Sequence, residues 1–152
     1  MTALAANGNR KVKNFDSVVL RQGIIATSSV IYDGSLIQQT AAGFLLPVAA
    51  GTTATFAGMA VIKTPTGTGG LTGAADNSVL IDYWESGFDA LFACAASVTV
   101  GLVRNADIYA LDDNTVTALI TGSPSVGILV ELPSSTTAWV RVTAVKRTVG
   151  GA

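Results

Sequence analysis

From Ser17 onward the chain alternates short runs of apolar and β-branched residues with turn residues, and nowhere does it hold a capped helical period. Val18-Val19-Leu20 leads to Gly23, and Ile24 to Ile31 is rich in β-branched side chains. Further runs of strand length stand at Phe44 to Val48, Thr55 to Ile62, Ser78 to Trp84, Ala90 to Ala93, Val98 to Val103, Ile108 to Leu111, Thr115 to Ile120, Val126 to Leu132 and Ala138 to Val145. The last alternates strictly, with Trp139, Arg141, Thr143 and Val145 set against Ala138, Val140, Val142 and Ala144. Asp33-Gly34 predicts a hairpin between Ile31-Tyr32 and Leu36-Ile37, because glycine accepts the positive φ that such turns need. Asp112-Asp113-Asn114 predicts a second hairpin, and Glu85-Ser86-Gly87 a turn between strands. A short helix is compatible with the sequence only around Asn105 or in the Ala-rich 90–97 region.

The pattern therefore predicts an all-β protein, a single compact antiparallel β barrel or sandwich over residues 16–149. Its core is expected to include Val18, Leu20, Ile31, Phe56, Ile81, Ile108, Val140 and Val142. Residues 1–15 read differently. They are polar, small and basic, with Asn7-Gly8-Asn9 as a turn element, and predict an extended N-terminal arm. Residues 64–73, glycines among threonines, predict a loop with little to bury. A weak internal echo links Ile31-Tyr32, the turn at Asp33-Gly34, Gly43 and Ala57-Gly58-Met59-Ala60-Val61 to Ile108-Tyr109, the turn at Asp112 to Asn114, Gly122 and Val126-Gly127-Ile128-Leu129-Val130.

Charge changes this picture in one respect. Only 12% of residues are charged, against about 25% in an ordinary soluble domain, and residues 35–62 carry no charge at all. The first 21 residues sum to +3, residues 141–152 to +3, and residues 22–140 to −7. A weakly charged body of this kind has a surface of neutral Ser, Thr, Asn and Gly, a surface partly covered by other protein, or both. The uncharged stretches 35–62 and 114–130 point to a homo-oligomer. Gly43, Pro47, Gly51 and Gly58 break the apolar helix that a membrane span requires, so no membrane partner is expected. Met1 to Phe15 has no apolar segment of the secretory type, which fits synthesis in a cytoplasm.

The sequence offers little for chemistry. It has no histidine, which removes Ser-His-Asp and Cys-His catalysis and histidine zinc sites. Cys94 stands alone among alanines and reads as a small buried hydrophobe. Gly67-Thr68-Gly69-Gly70 lacks the Gly-Lys-Ser/Thr of a phosphate loop. Asp82, Glu85 and Asp89 around Trp84 and Phe88 are the only carboxylate cluster that a glycosidase could use, and they sit on an expected turn. Asp112-Asp113-Asn114 lacks the spaced ligands of a calcium loop. The expectation is no enzyme, no catalytic residues, no metal and no cofactor. An acidic body with bases only at its ends also disfavours nucleic acid.

Taken in order, Val30-Ile31-Tyr32-Asp33-Gly34, Gly43-Phe44-Leu45-Leu46-Pro47, Ala57-Gly58-Met59-Ala60, Asp107 to Thr117, Val126 to Val130 and Ala138 to Val142 resemble the small capsid decoration, or cement, proteins of tailed bacteriophages. The resemblance runs over about residues 18–145, and its specificity lies in the order of short motifs. It implies a structural virion protein that binds the outer surface of an assembled shell of major capsid protein and clamps neighbouring capsomers. A trimer, with a dimer as the alternative, is what this resemblance alone implies. Arg10, Lys11, Lys13, Phe15 and Arg21, at the arm and its junction, are the expected capsid-binding residues. The alternative is a carbohydrate- or host-surface-binding β module displayed on a virion.

Overall fold

A computed structural model of the chain describes residues 10–15, 17–49, 55–62, 69–95, 98, 104–118 and 123–143. The described elements are strands β1 (Val12–Lys13), β2 (Val19–Ile24), β3 (Val30–Ile31), β4 (Leu36–Gln39), β5 (Leu45–Pro47), β6 (Thr55–Val61), β7 (Leu71–Thr72), β8 (Leu80–Ser86), β9 (Phe88–Cys94), β10 (Asp107–Ala110), β11 (Thr115–Thr117), β12 (Ser125–Glu131) and β13 (Thr137–Val142). The protein is all-β, as the pattern predicts. Val98 is helical and fully buried where a strand was expected; the remainder of that run, to Val103, lies outside the described residues.

The strands close into two rings. In the second half the order is β9-β11-β10-β12-β13, and β13 pairs back onto β9, so five strands form a closed barrel. In the first half the sheet β2-β8-β6-β4-β5 is drawn shut by a parallel bridge between Ile25 and Leu45. Closure removes most of the exposed backbone edge that an open sheet would carry. A two-strand ribbon, β3 with β7, lies outside the first ring.

The two rings share one topology, and their registers match residue by residue. Taking β2, β4, β5, β6 and β8 as counterparts of β9, β10, β11, β12 and β13 gives the same ring order and the same parallel contact. Ile25 pairs with Leu45 as Cys94 pairs with Val116. The next amide closes each ring alike: Ala26 N–H donates to Leu45 O at 2.8 Å, and Ala95 N–H to Val116 O at 2.9 Å. Ile37 faces Gly58 as Ile108 faces Gly127, and a bulge follows each pair immediately. Both glycines exist for close approach to the last strand of their ring. A Cβ at Gly58 would stand 2.3 Å from Trp84 O, and one at Gly127 would stand 1.8 Å from Arg141 O.

This is the sequence echo, with its first half shifted. The stretches around Gly58 and Gly127 do correspond, but the counterpart of β10 is β4 and not the strand containing Ile31-Tyr32. The Asp33-Gly34 hairpin does not form, since β3 pairs with β7 and β4 pairs with β5 and β6. Leu71–Thr72, read as loop, is therefore a strand. Asp112 to Asn114 does join an antiparallel pair, β10 and β11. Glu85 and Ser86 end β8, and Gly87, between the strands as expected, hands the chain from one ring to β9 of the other.

Packing explains the missing charge. One core fills the first ring (Ile25, Ile31, Ile37, Leu45, Ala57, Ala60, Ile81, Tyr83). The other fills the second ring and continues onto the outer face of the first through Leu36, Val48, Phe56 and Met59. Strands β4 and β6 are thus buried on both faces and form the wall between the rings, which is why residues 35–62 read as an uncharged run. Much of that run is consumed inside the chain, while Gln39, Ala41, Ala42, Gly43 and Ala49 are exposed. Six of the eight expected core residues are buried; Val18 is half-buried and Leu20 is 53% exposed. A bulge between Val19 and Leu20 shifts the alternation by one residue and turns Leu20 outward.

Candidate functional site

Two features of the described surface can serve a partner: the junction between the rings and the outer face of β2 and β8. The junction is built from the two turn sequences and from Arg10. The Asp33-Gly34-Ser35 turn docks on the Asp112–Asn114 turn, with Leu36 N–H donating to Asp113 O at 2.8 Å and Ser35 Oγ to Asp113 Oδ2 at 3.2 Å. Asp112 Oδ1 accepts the N–H groups of Asn114 (2.9 Å) and Thr115 (2.7 Å), the self-capping expected of an Asp in a tight turn.

Arg10 lies between these turns. Its Nε donates to Gly34 O (2.8 Å), Nη1 to Leu91 O (2.9 Å) and Nη2 to Asn114 Oδ1 (3.1 Å), while the guanidinium stacks over the Phe92 ring at 4.4 Å. A planar fork of donors suits three acceptors spread over two rings. Burial pushes its pKa down to about 10 while Asp113 and Asp33 hold it up, so the group is charged at neutral pH. A cleft of about 120 Å³ opens beside it, lined by Arg10, Val12, Asp33, Gly34, Met59 and Trp84 among others. Asp33, its one carboxylate, accepts the Ile62 N–H at 2.8 Å. The polar groups here join the rings together.

The expected capsid-binding residues thus separate. Arg10 is spent on the protein's own interior. Lys13 belongs to β1, which pairs antiparallel with β9, and its Nζ contacts Glu131 at 2.8 Å and the Trp139 ring at 4.1 Å. Residues 10–13 are therefore part of the second barrel's wall and not a detached arm; residues 1–9 lie outside the described residues. Lys11 is exposed. Arg21 is exposed and paired with Glu85 at 2.8 Å, which holds its pKa up. Phe15 is 53% exposed, with its ring edge-on to Trp84 at 5.3 Å.

Phe15 leads to the second feature. Leu20 faces Trp84, Gln22 faces Asp82 and Ile24 faces Leu80 across β2 and β8, so these side chains share the outer face of the pair. The three exposed large apolar residues of the described chain, Phe15, Leu20 and Leu80, all lie on or against this face. Trp84 links it to the core through Phe88 at 5.3 Å. Sequence reasoning named Phe15 but missed Leu20 and Leu80; the bulge that exposes Leu20 has no signal in composition.

The carboxylates around Trp84 do not converge. Asp82 accepts from Gln22, Glu85 pairs with Arg21, and Asp89 is buried in the other ring against Arg141 (2.7 Å) and Asn14 (2.6 Å). Among the described residues, no group of three His, Cys, Asp or Glu side chains is placed to hold a metal ion.

No protein-family model matches the chain, and no curated protein sequence matches it. A solved structure does. The chain is similar to one in the capsid of the Myoviridae phage XM1, with a TM-score of 0.52 and 16% identity over 94% of this chain and 90% of that one. At that identity the likeness establishes a shared fold over nearly the full length.

Proposed function

We propose that this chain is a structural protein of a tailed-phage virion, one that binds the outer surface of the capsid and holds neighbouring capsomers together. The observation that carries this reading is the fold it shares, end to end, with a chain of a phage capsid. The order of sequence motifs that resembles the cement proteins points the same way. Its contact surface is the outer face of β2 and β8, where Phe15, Leu20 and Leu80 offer apolar area. Fully burying an exposed leucine or phenylalanine contributes about 1.5–3 kcal/mol, and contacts repeated by capsid symmetry add avidity. The function needs no catalytic step, cofactor or metal.

Co-sedimentation with empty capsids of the phage that encodes the chain tests the reading. The wild type should pellet with capsids, and Leu20→Glu/Leu80→Glu should remain folded and stay in the supernatant. A chain that ignores capsids and binds immobilised glycans instead belongs to the alternative class of host-surface modules.

A further inference from the structure

The internal correspondence of the two rings exposes a difference between them. In the second ring β11 pairs only with Ala93 and Cys94 of β9, and the adjoining stretch of that edge carries β1: Val12 faces Ala90, Lys13 faces Asp89, and Leu91 N–H donates to Lys11 O at 3.0 Å. Counting back from the matched pair Ile25 and Cys94, Leu91 corresponds to Gln22 and Ala90 to Arg21. In the first ring β5 likewise reaches only Ile25, yet along Val19–Ile24 strand β2 pairs with β8 alone among the described residues. Ile25 N–H donates to Val79 O on the β8 side, so by strand alternation Leu20, Gln22 and Ile24 turn their main-chain N–H and C=O groups away from β8. Leu20, Arg21 and Gln22 are exposed, and no proline or lysine guards this stretch.

We propose that this edge pairs with itself: two copies of the chain join β2 to β2, antiparallel, about a two-fold axis at Gln22. The pairing is independent of capsid attachment. Its register follows from the order Leu20-Arg21-Gln22-Gly23-Ile24. With the axis at Gln22, Gln22 meets Gln22, Leu20 meets Ile24 and Arg21 meets Gly23 of the second copy. The three outward residues of each strand then exchange about six main-chain hydrogen bonds. Apolar side chains face apolar ones, and Arg21, which keeps its partner Glu85, faces a residue without a side chain. The neighbouring registers fail. An axis at Arg21 sets two arginines directly opposite each other. An axis at Gly23 drives Leu20 onto Ala26, whose N–H is already given to Leu45 O at 2.8 Å. An edge that complements its own reverse in one register selects a second copy as its occupant.

The outer face supports the same occupant. Leu20 is 53% and Leu80 48% exposed in one copy, and Leu20 faces Trp84 as Ile24 faces Leu80 across β2 and β8. In the pair, Trp84 and Leu20 of one copy stand in a row with Ile24 and Leu80 of the other, and the two-fold axis repeats the row. Leu20 thereby gains an apolar cross-strand neighbour on its open side, and the outer faces of the two copies become one surface.

Sedimentation of the full chain and of Gln22→Pro, with no capsid present, tests the proposal apart from any attachment. Proline removes the outward N–H at the axis, at an edge position where it is tolerated. The wild type should dimerise, and Gln22→Pro should do so at least about tenfold more weakly while keeping the wild-type circular dichroism. In a Cys94→Ala background, Gln22→Cys should form a disulfide with its own copy under mild oxidation, because hydrogen-bonded partners stand about 5.5 Å apart between Cα atoms, within disulfide reach. Arg21→Cys, also exposed but set off by two residues from its own copy in this register, should cross-link far more slowly. This arm stands even if Gln22→Pro fails to fold. A wild type that stays monomeric, an assembly that Gln22→Pro leaves equally tight, or Arg21→Cys cross-linking as fast as Gln22→Cys would overturn it.

Discussion

The guanidinium of Arg10 stacks on the Phe92 ring at 4.4 Å, and in that position its three donor groups reach carbonyl or amide oxygens of both rings. A residue that sequence alone assigns to a capsid-binding arm is the pin between the two barrels. Arg10→Ala leaves three acceptors without their donor in a part-buried site and should cost roughly 1–3 kcal/mol, read as a lowered urea midpoint. Arg10→Lys should recover little, because one ammonium cannot span the same acceptors. Removing residues 1–14 should lower the midpoint as Arg10→Ala does.

The matched glycines give a second expectation. Gly127→Ala and Gly58→Ala each place a Cβ against a backbone carbonyl that cannot swing aside, at 1.8 Å from Arg141 O and 2.3 Å from Trp84 O. Each should cost at least about 2 kcal/mol by overpacking. Gly43→Ala, on an exposed turn with nothing nearer than the Gln39 side chain at 3.9 Å, meets no such wall and pays only for its positive φ of 93°. Thermal unfolding of the three variants should rank Gly43→Ala as the mildest.

Much of this fold is legible in the sequence and some of it is not, for physical reasons. Strand positions show because β-branched runs and turn residues are local signals, and the Asp112 turn acts through its own side chain. Ring closure does not show: Ile25 with Leu45 and Cys94 with Val116 are parallel contacts about 20 residues apart, with no turn to mark them. Leu20 was misplaced because a bulge resets alternation without changing composition. Arg10 was misread because its acceptors come from residues 34, 91 and 114, a convergence that only the folded chain makes. The lack of charge over 35–62 reflects β4 and β6 lying between the two cores, a placement that only the folded chain makes.

Two ion pairs of similar length should differ widely in worth. Asp89 and Arg141 meet at 2.7 Å with the carboxylate almost fully buried; the approach is not that of a linear hydrogen bond, yet the charges compensate each other. Lys13 and Glu131 meet at 2.8 Å with both side chains more than a third exposed. Asp89→Ala strands a partly buried arginine and should cost about 3 kcal/mol, while Glu131→Ala should cost less than about 1 kcal/mol. Chemical denaturation of the two variants checks the difference.

Cys94 lies in the second core, and burial pushes its thiol up from the ordinary value. Its alkylation by iodoacetamide near neutral pH should be slow in the folded protein and become fast only in denaturant, since the thiolate is the reactive form and is both scarce and shielded. Fast labelling of the native chain, followed by mass spectrometry, would show that the second ring opens readily.

The capsid reading is tested most directly by cryo-electron microscopy of particles from the phage that encodes this chain, compared with particles lacking it. The wild-type map should show a two-barrel density on the outer surface, spanning adjacent capsomers with the β2–β8 face turned toward the shell, and that density should vanish from the deletion particles. Identical capsid exteriors in the two maps would contradict the account.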